Sequence, residues 1–284
     1  MPVLSLADIK GYFVFDEEEC RRVGMAQREA FQGGEPFPHL VLPDFLDPEI
    51  LDCIAQNLPG AERAAMVEND HHRLKRTWHP QLSKCAITRN LFAELNGQAF
   101  LTFLGEATGQ PYLIPDPYFD GAGLHEVLPG GILGIHEDRN MHAGMRVHRR
   151  INLLIYLNHG WQDIFGGHLE LWDRSMERCI KAIAPTFGTA VIFATNPGSF
   201  HGHPDPLTCP PDRARKSLSQ YYYSSPEMRP ATGRPRPGAL YVPRKGSSDP
   251  YDWRTRAKHL LVDLTPPVMY RGLLQIYNRT RAHQ

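Results

Sequence analysis

The feature that most constrains the fold is a succession of short β-type segments between about residues 122 and 225. They are rich in Val, Ile, Leu and Tyr, and Gly, Pro, Asn or Asp separates each segment from the next. The segments read LHEVLP, GGILGIHED, HRRINLLIYLN, GGHLELWD, RCIKAIAP, GTAVIFAT and RKSLSQYYYS. Because no helical pattern interrupts them, the sequence predicts a mainly β chain with flanking helices (α+β), whose strands form an antiparallel double-sheet barrel or jelly roll.

The flanking segments carry helical patterns. DEEECRRVGMAQREAF predicts a short helix, and the strand-like HLVLPDF leads to Asp47 as a helix N-cap with Pro48 at the first helical position. Apolar residues at a helical period from Lys84 to Gly109 predict one long helix packed against a sheet. The basic and aromatic segment NDHHRLKRTWHP, residues 69 to 80, is interpreted as a solvated loop, since its few Lys and Arg do not form a nucleic-acid-binding stripe.

Composition also suggests how the chain is divided. Residues 1–225 are predicted to form one domain, with an N-terminal helical part over 1–115 and a barrel core over about 116–225. Residues 226–284 are predicted to be a Pro- and Arg-rich linker followed by a C-terminal helical extension. The linker is either solvated or a lid over an anionic substrate, and its basic residues are Arg229, Arg234, Arg236, Arg244 and Lys245.

Metal-binding chemistry is indicated by GGILGIHED, which ends in His136 and Asp138. Side chains two apart on a strand project to the same face, so both can reach one ion. Non-haem Fe(II) oxygenases bind iron through two histidines and one carboxylate. A third ligand is expected on a distant strand, and the segment SFHGHPDPL offers His201 and His203.

Charge and cysteine content exclude several classes of protein. The 31 basic and 31 acidic residues balance, which disfavours general binding to nucleic acid or to an acidic membrane surface. No apolar run approaches the length of a membrane span, and the N-terminus lacks a secretory pattern. The five dispersed cysteines are interpreted as reduced thiols, so we expect a cytoplasmic protein that binds neither membranes nor nucleic acid; a homodimer is possible.

From about Pro36 to Ser225 the sequence resembles the 2-oxoglutarate- and Fe(II)-dependent dioxygenases, in the branch similar to prolyl 4-hydroxylases. The resemblance is carried by FPHLVLPDFLDPEI, LPGGILGIHED, RRINLLIYLN, GGHLELWD and SFHGHPDPLTCPPDRARKSLSQYYYS. It implies a double-stranded β-helix (jelly-roll or cupin-like) core that uses Fe(II), 2-oxoglutarate as cosubstrate and O2. It also implies hydroxylation of a C–H bond, coupled to decarboxylation of 2-oxoglutarate to succinate and CO2.

Carried over to individual positions, the resemblance makes His136, Asp138 and His201 the catalytic metal ligands, with His201 preferred to His203 because it directly precedes a glycine. Arg215 is the expected partner of the far carboxylate of 2-oxoglutarate, with Arg213 as a weaker competitor.

Three further residues are candidates for binding the cosubstrate. Ser217 shares a strand face with Arg215 and could join the same anchor. Tyr156 either donates to the same carboxylate, as relatives' tyrosines do, or is a core aromatic residue. Asn152 either contacts cosubstrate or a metal ligand, or makes a structural hydrogen bond.

Other polar residues near the predicted site remain open. Glu137 should point away from the metal, and His168 and Glu170 are expected to be exposed or to contact substrate. Four residues that are close in sequence to the predicted opening of the barrel could contact a polar substrate, namely His125, Arg139, His142 and His148.

Three alternatives stay open. A cupin-like protein could hold another divalent ion without oxygen chemistry, and a non-catalytic interaction module could use the histidines structurally. Within the enzyme class, the ligands do not separate hydroxylation from desaturation, epimerisation or N-demethylation. The substrate is expected to be a small molecule, a natural-product intermediate or a prolyl or other amino-acid residue.

Overall fold

The computed structural model describes residues 1–142, 144–225, 238–250 and 257. The predicted fold class is confirmed: the chain is mainly β with flanking helices around a double-stranded β-helix. The helices are α1 (Glu17–Gln32), α2 (Pro48–Gln56), α3 (Ala86–Leu95) and α4 (Gln98–Thr108). The strands are β1 (Leu6–Ile9), β2 (Tyr12–Phe15), β3 (His39–Leu42), β4 (Ala65–Asn69), β5 (His72–Trp78), β6 (Ile114–Pro115), β7 (Gly123–Glu137), β8 (His148–Tyr156), β9 (Leu169–Trp172), β10 (Cys179–Ile183), β11 (Ala190–Ala194), β12 (His201–His203), β13 (Arg215–Ser224) and β14 (Leu240–Tyr241).

All strands except the β1–β2 hairpin belong to one 12-stranded antiparallel sheet. Its main path runs β10-β9-β12-β7-β13-β8-β11-β3, and β5, β6 and β14 attach along β7 and β13. A single apolar cluster joins Leu171 on β9 to Tyr156 on β8 and Phe193 on β11, although β9 is not a neighbour of either strand. The sheet therefore folds over on itself, and these residues fill its interior.

The helices cover the opposite face of the sheet. Phe100 and Phe103 of α4 are fully buried, and the Phe100 ring lies 6.1 Å from that of Tyr222 on β13. Helix α1 packs along α4 at Gly24, where a Cβ atom would lie 2.6 Å from the carbonyl oxygen of Phe103. At its start, Asp16 accepts a 2.7 Å hydrogen bond from the Glu19 amide, the N-cap arrangement that satisfies a free helix donor.

The prediction of one long helix from Lys84 to Gly109 is wrong. The chain breaks between α3 and α4, where Gly97 adopts an extended conformation as the N-cap of α4. Glycine loses the most backbone entropy in a helix, and the Asn96 side chain donates to the Asp116 carbonyl instead of facing solvent. The two shorter helices can then pack in different directions, whereas helix α2 begins at Pro48 as predicted.

The interpretation of residues 69 to 80 as a solvated loop is also wrong. They contribute most of the β4–β5 hairpin, and β5 pairs antiparallel with β7. One of the charged residues has its partner on that strand: Arg76 forms a 3.0 Å ion pair with Glu126 of β7. The N-terminal part over residues 1–115 is therefore not only helical: β3 and β5 are strands of the core sheet.

The strand that carries the HxD motif is longer than the sequence suggests. LHEVLP and GGILGIHE belong to a single 15-residue strand, β7, which passes through Gly130 at φ 82° and ends one residue before Asp138. That left-handed conformation suits glycine. Strand β7 pairs with β13 before Gly130, with β12 and β14 after it, and with β5 on both sides of it. Strand β7 is thus a direct neighbour of β5, β12, β13 and β14, four of the strands that reach the site.

Strand β14, which lies in the segment predicted to be a linker, pairs with the end of β7. The predicted C-terminal helices, and Arg229, Arg234 and Arg236 of the predicted linker, lie outside the described residues. Within the described ranges, no helix combines the length and apolarity needed to cross a membrane.

Candidate metal centre and cosubstrate site

Three predicted ligands lie together at the end of β7. His136, Asp138 and His201 each offer one ligand atom, and these atoms lie within 4.8 Å of one another. The Asp138 carboxylate is 3.5 Å from Nε2 of His136 and 3.9 Å from Nε2 of His201. Antiparallel pairing places His201 on β12 directly opposite His136 on β7. The group has the two-histidine, one-carboxylate composition of a non-haem iron site and could hold one divalent ion.

Both imidazoles are oriented for metal binding by backbone carbonyls. Nδ1 of His136 lies 2.9 Å from the Gly134 oxygen, and Nδ1 of His201 lies 3.0 Å from the Ser199 oxygen. A carbonyl only accepts, so each Nδ1 must donate its hydrogen and each Nε2 keeps a lone pair directed at the centre. Burial, followed by the nearby His136, lowers the pKa of His201 to about 4, so its ring is neutral at pH 7.

Asp138 is held as a carboxylate by its surroundings. Burial alone would raise its pKa, but Arg149 and the two histidines hold the pKa well below its usual range. The Arg149 guanidinium lies 3.5 Å from Oδ2 of Asp138, and the Asn152 amide donates to the same oxygen at 3.3 Å. Asn152 therefore contacts a candidate metal ligand, which is one of the roles predicted for it from sequence.

His203 is buried but does not join this group. It pairs with Leu133 of β7, and a register irregularity separates it from His201. Its surroundings are basic: burial, then Arg215 and Lys75, lower its pKa well below the usual value. The geometry therefore brings His201, and not His203, to His136 and Asp138.

Arg215 is buried on the inner face of β13, in contact with the candidate residue Tyr156. Its Nε donates to the Gly167 carbonyl at 2.7 Å, and a terminal nitrogen lies 3.2 Å from the Tyr156 hydroxyl. Ser217 pairs with Tyr156 across β13 and β8, so its hydroxyl shares this face. These three side chains together offer donors to a carboxylate, whereas the competitor Arg213 donates outward to the carbonyls of His159 and Gly160.

The interior around Arg215 is suited to a polar, anionic guest. Several buried polar atoms have no hydrogen-bond partner among the described residues, including Nε2 of His125, Nδ1 of His203, Oδ1 of Asn152 and Oγ of Ser219. Buried polar groups are ordinarily satisfied, so such a set on one inner face indicates a missing ligand. A dicarboxylate such as 2-oxoglutarate fits this combination of cations and unpaired polar atoms.

The remaining predicted residues take structural positions around the site. Glu137 accepts from the Gly198 amide at 3.0 Å, and Arg139 forms a 2.6 Å ion pair with Asp120. His142 lies 3.4 Å from the buried Asp116, while Nδ1 of His148 has no partner within the described chain.

Glu170 on β9 and His168, which directly precedes that strand, are both partly buried. Glu170 accepts from the Trp172 indole at 2.8 Å, and His168 lies 3.3 Å from Asp163. These side chains thus contact protein groups, and the expected exposure holds only in part.

Sequence reasoning missed three residues at the centre. Arg149, one residue after His148, stacks 3.6 Å above the Tyr221 ring. Lys75 comes from the segment taken for a loop, and Tyr241 from the segment taken for a linker. The Tyr241 ring lies 5.3 Å from that of His136 and stacks on His71.

Comparison with known proteins gives a consistent picture. Residues 122–223 match the family model of the 2OG-Fe(II) oxygenase superfamily. A mouse protein, prolyl 3-hydroxylase OGFOD1, is 31% identical over 88 residues, which are 30% of this chain and 16% of the relative. The matched segment thus spans about a sixth of that relative.

One solved structure agrees with this chain on the fold. A prolyl hydroxylase from Trichoplax adhaerens, solved with a hypoxia inducible factor peptide fragment, aligns with a TM-score of 0.52 at 15% identity, covering 76% of this chain and 96% of its own. A Pseudomonas putida prolyl-4-hydroxylase aligns with a TM-score of 0.47 at 17% identity, over 70% and 98% of the two chains. Residues 122–223 are thus similar in sequence to the 2OG-Fe(II) oxygenase superfamily, and the chain has the fold of the Trichoplax prolyl hydroxylase.

Proposed function

We propose that this protein is a 2-oxoglutarate- and Fe(II)-dependent dioxygenase that hydroxylates a C–H bond of its substrate. The observation that carries the proposal is that the group of His136, Asp138 and His201 and the pair of Arg215 and Tyr156 line the same interior. Phe193 links them, because it belongs to one apolar cluster with Tyr156 and its ring lies 4.6 Å from that of His201. Metal ligands and a carboxylate anchor are the two parts that a bidentate keto-acid cosubstrate requires.

The protein's own groups have distinct tasks in this proposal. Nε2 of His136, Nε2 of His201 and the Asp138 carboxylate bind the metal, and Arg215 with Tyr156 binds the far carboxylate of the cosubstrate. Bound Fe(II) and 2-oxoglutarate supply the oxidising chemistry that uses O2 and releases succinate and CO2.

Aromatic packing fixes the ligands and keeps water from them. The Phe193 ring meets His201 edge-on at 4.6 Å, and Tyr241 covers one side of His136. Rings held in this way lose little orientation freedom when a metal binds, which favours a preorganised site.

Anaerobic addition of Fe(II) and 2-oxoglutarate should produce the visible charge-transfer band of a chelated keto acid. His136→Ala or His201→Ala should abolish metal binding and the band, whereas His203→Ala should retain both. Arg215→Ala should bind metal normally but require a higher 2-oxoglutarate concentration. An intact, folded wild-type protein with neither the band nor succinate formation would refute the proposal.

The substrate is part of the proposal. The relative's name, prolyl 3-hydroxylase, supports testing proline-containing peptides, and the inference from sequence supports testing small molecules. Succinate released above the substrate-free rate, with a mass increase of one oxygen atom on the substrate, would identify the correct class. The predictions of cytoplasmic location, of no membrane or nucleic-acid partner, and of a possible homodimer remain proposals.

A further inference from the structure

Two cations occupy the same row of the sheet. Lys75 on β5 and Arg215 on β13 both pair directly with Val127 of β7, one from each side. Directly opposed residues of antiparallel strands project to the same face. Their Cα atoms are two strand spacings apart, roughly 10 Å, so the two long side chains can converge on one small group between them.

The next row of paired residues along β7 shows on which face of the sheet Lys75 and Arg215 lie. Thr77 on β5 and Ser217 on β13 both pair with His125, and Ser217 also pairs with Tyr156. Thr77 and His125 contact each other at 3.3 Å. Lys75 therefore projects to the same face as Arg215 and Tyr156, where its side chain is half-buried.

The carboxylate that attracts Lys75 is Asp138, which is already paired with Arg149. Within the described residues Lys75 forms no ion pair, whereas its neighbour Arg76 is paired with Glu126 on the other face. Burial, and then repulsion by Arg215, lowers the pKa of Lys75 to about 8. A folded protein rarely places two cations side by side in its interior unless an anion joins them.

We propose that Lys75 is a second cationic contact for 2-oxoglutarate, so that Arg215 and Lys75 bind the carboxylate far from the metal from two sides. This inference rests on the proposed function and deepens it. Arg215 is directed by its bonds to Gly167 and Tyr156, and the more flexible ammonium of Lys75 closes the opposite side of the carboxylate. Lys75 thereby acts as a specificity residue that favours a dicarboxylic over a monocarboxylic keto acid.

The test compares two keto acids that differ only at the far end. Anaerobic Fe(II)-loaded protein is titrated with 2-oxoglutarate and with 2-oxopentanoate, which has a methyl group in place of the far carboxylate, and binding is followed by the charge-transfer band. The variants are Lys75→Met, the charge-retaining Lys75→Arg, and Arg73→Met as a matched control that removes an exposed cation from the same strand.

Lys75→Met should weaken 2-oxoglutarate binding by about 10- to 100-fold, the range of a lost charge-assisted contact, and change 2-oxopentanoate binding by less than about twofold. Lys75→Arg should recover part of the loss, and Arg73→Met should match the wild type. Lys75→Met should melt at or above the wild-type temperature without ligand, because it removes an unpaired, half-buried charge, and should gain less on adding 2-oxoglutarate.

The outcomes separate the two proposals. If wild-type protein shows no band, the proposed function fails. If the wild type shows the band and Lys75→Met binds 2-oxoglutarate as tightly, or loses both keto acids equally, the role of Lys75 is refuted while the proposed function stands.

Discussion

Replacing Arg149 by methionine tests how the candidate metal site is stabilised before metal binds. The side chains of Arg149 and Asp138 are only 3% and 11% exposed, and the ion pair they form at 3.5 Å leaves Asn152 as the other donor to the carboxylate. Removing one partner of a buried pair costs about 3–5 kcal/mol, since the remaining charge is left without compensation. Loss of the stack on Tyr221 adds to this cost.

The expected fall in melting temperature is roughly 10 °C, because a domain of this size shifts by about 2–4 °C per kcal/mol. Thermal unfolding followed by circular dichroism, with a chelator and then with saturating Mn(II), measures it. A bound divalent cation supplies the counter-charge that Asp138 has lost, so metal should stabilise Arg149→Met more than it stabilises the wild type.

Arg28→Met provides the matched control. Its ion pair with Glu106 is shorter, at 2.6 Å, but the two side chains are 45% and 28% exposed. Screening by water limits such a pair to less than about 1 kcal/mol. The reasoning is refuted if Arg149→Met costs no more than Arg28→Met, or if its cost is the same with and without metal.

Three further predictions concern packing and charge. Gly167→Ala should raise the Kd for 2-oxoglutarate without loss of metal, measured by anaerobic titration, because the glycine has φ 70° and a Cβ there would press on the Arg215 side chain at 3.0 Å. Lys75 is charged below its pKa of about 8, and the groups that interact with its charge are Arg215, Asp138, His72, His125 and His203. Affinity for 2-oxoglutarate measured across pH should therefore fall above that pH by up to about tenfold per unit, and Lys75→Met should flatten the profile. Gly24→Ala should lower stability to urea by about 1–3 kcal/mol through a clash with the Phe103 backbone, and leave the charge-transfer band unchanged.

The parts of the site that were predictable from sequence rest on strand periodicity. His136 and Asp138 are two residues apart at the end of a strand, and Arg215 and Ser217 alternate along another, so a period of two is enough to place each pair on one face. The fold class follows from the same signal, repeated over many short segments. What periodicity leaves undetermined is which strands are neighbours.

That gap explains why Lys75 and Tyr241 were missed. Each becomes part of the site only through pairing with β7, by β5 in one case and by β14 in the other. The two contacts join residues separated by about 50 and 100 positions, and no local pattern encodes such a register. The many charges in HRLKRTW also favoured a loop, since the sequence does not reveal that Arg76 has its partner, Glu126, on a distant strand.

The long helix failed for a different reason. The apolar period continues across Asn96 and Gly97, so the hydrophobic pattern alone supports one helix. The break is decided by local energetics, namely the cost of a glycine inside a helix and the hydrogen bond that Asn96 makes to the Asp116 carbonyl. Its consequence is tertiary, since it lets α4 pack along α1.

The pairing of β14 with the end of β7 has a practical consequence for where the protein can be cut. The Val242 amide donates to the Ile135 carbonyl at 2.9 Å, and Arg244 anchors the segment through Asp205 and Asp249. A fragment ending at residue 223, where the family match stops, would leave the edge of the strand bearing His136 without these hydrogen bonds. An open strand edge promotes self-association, so the shortest well-behaved fragment should extend at least through residue 250.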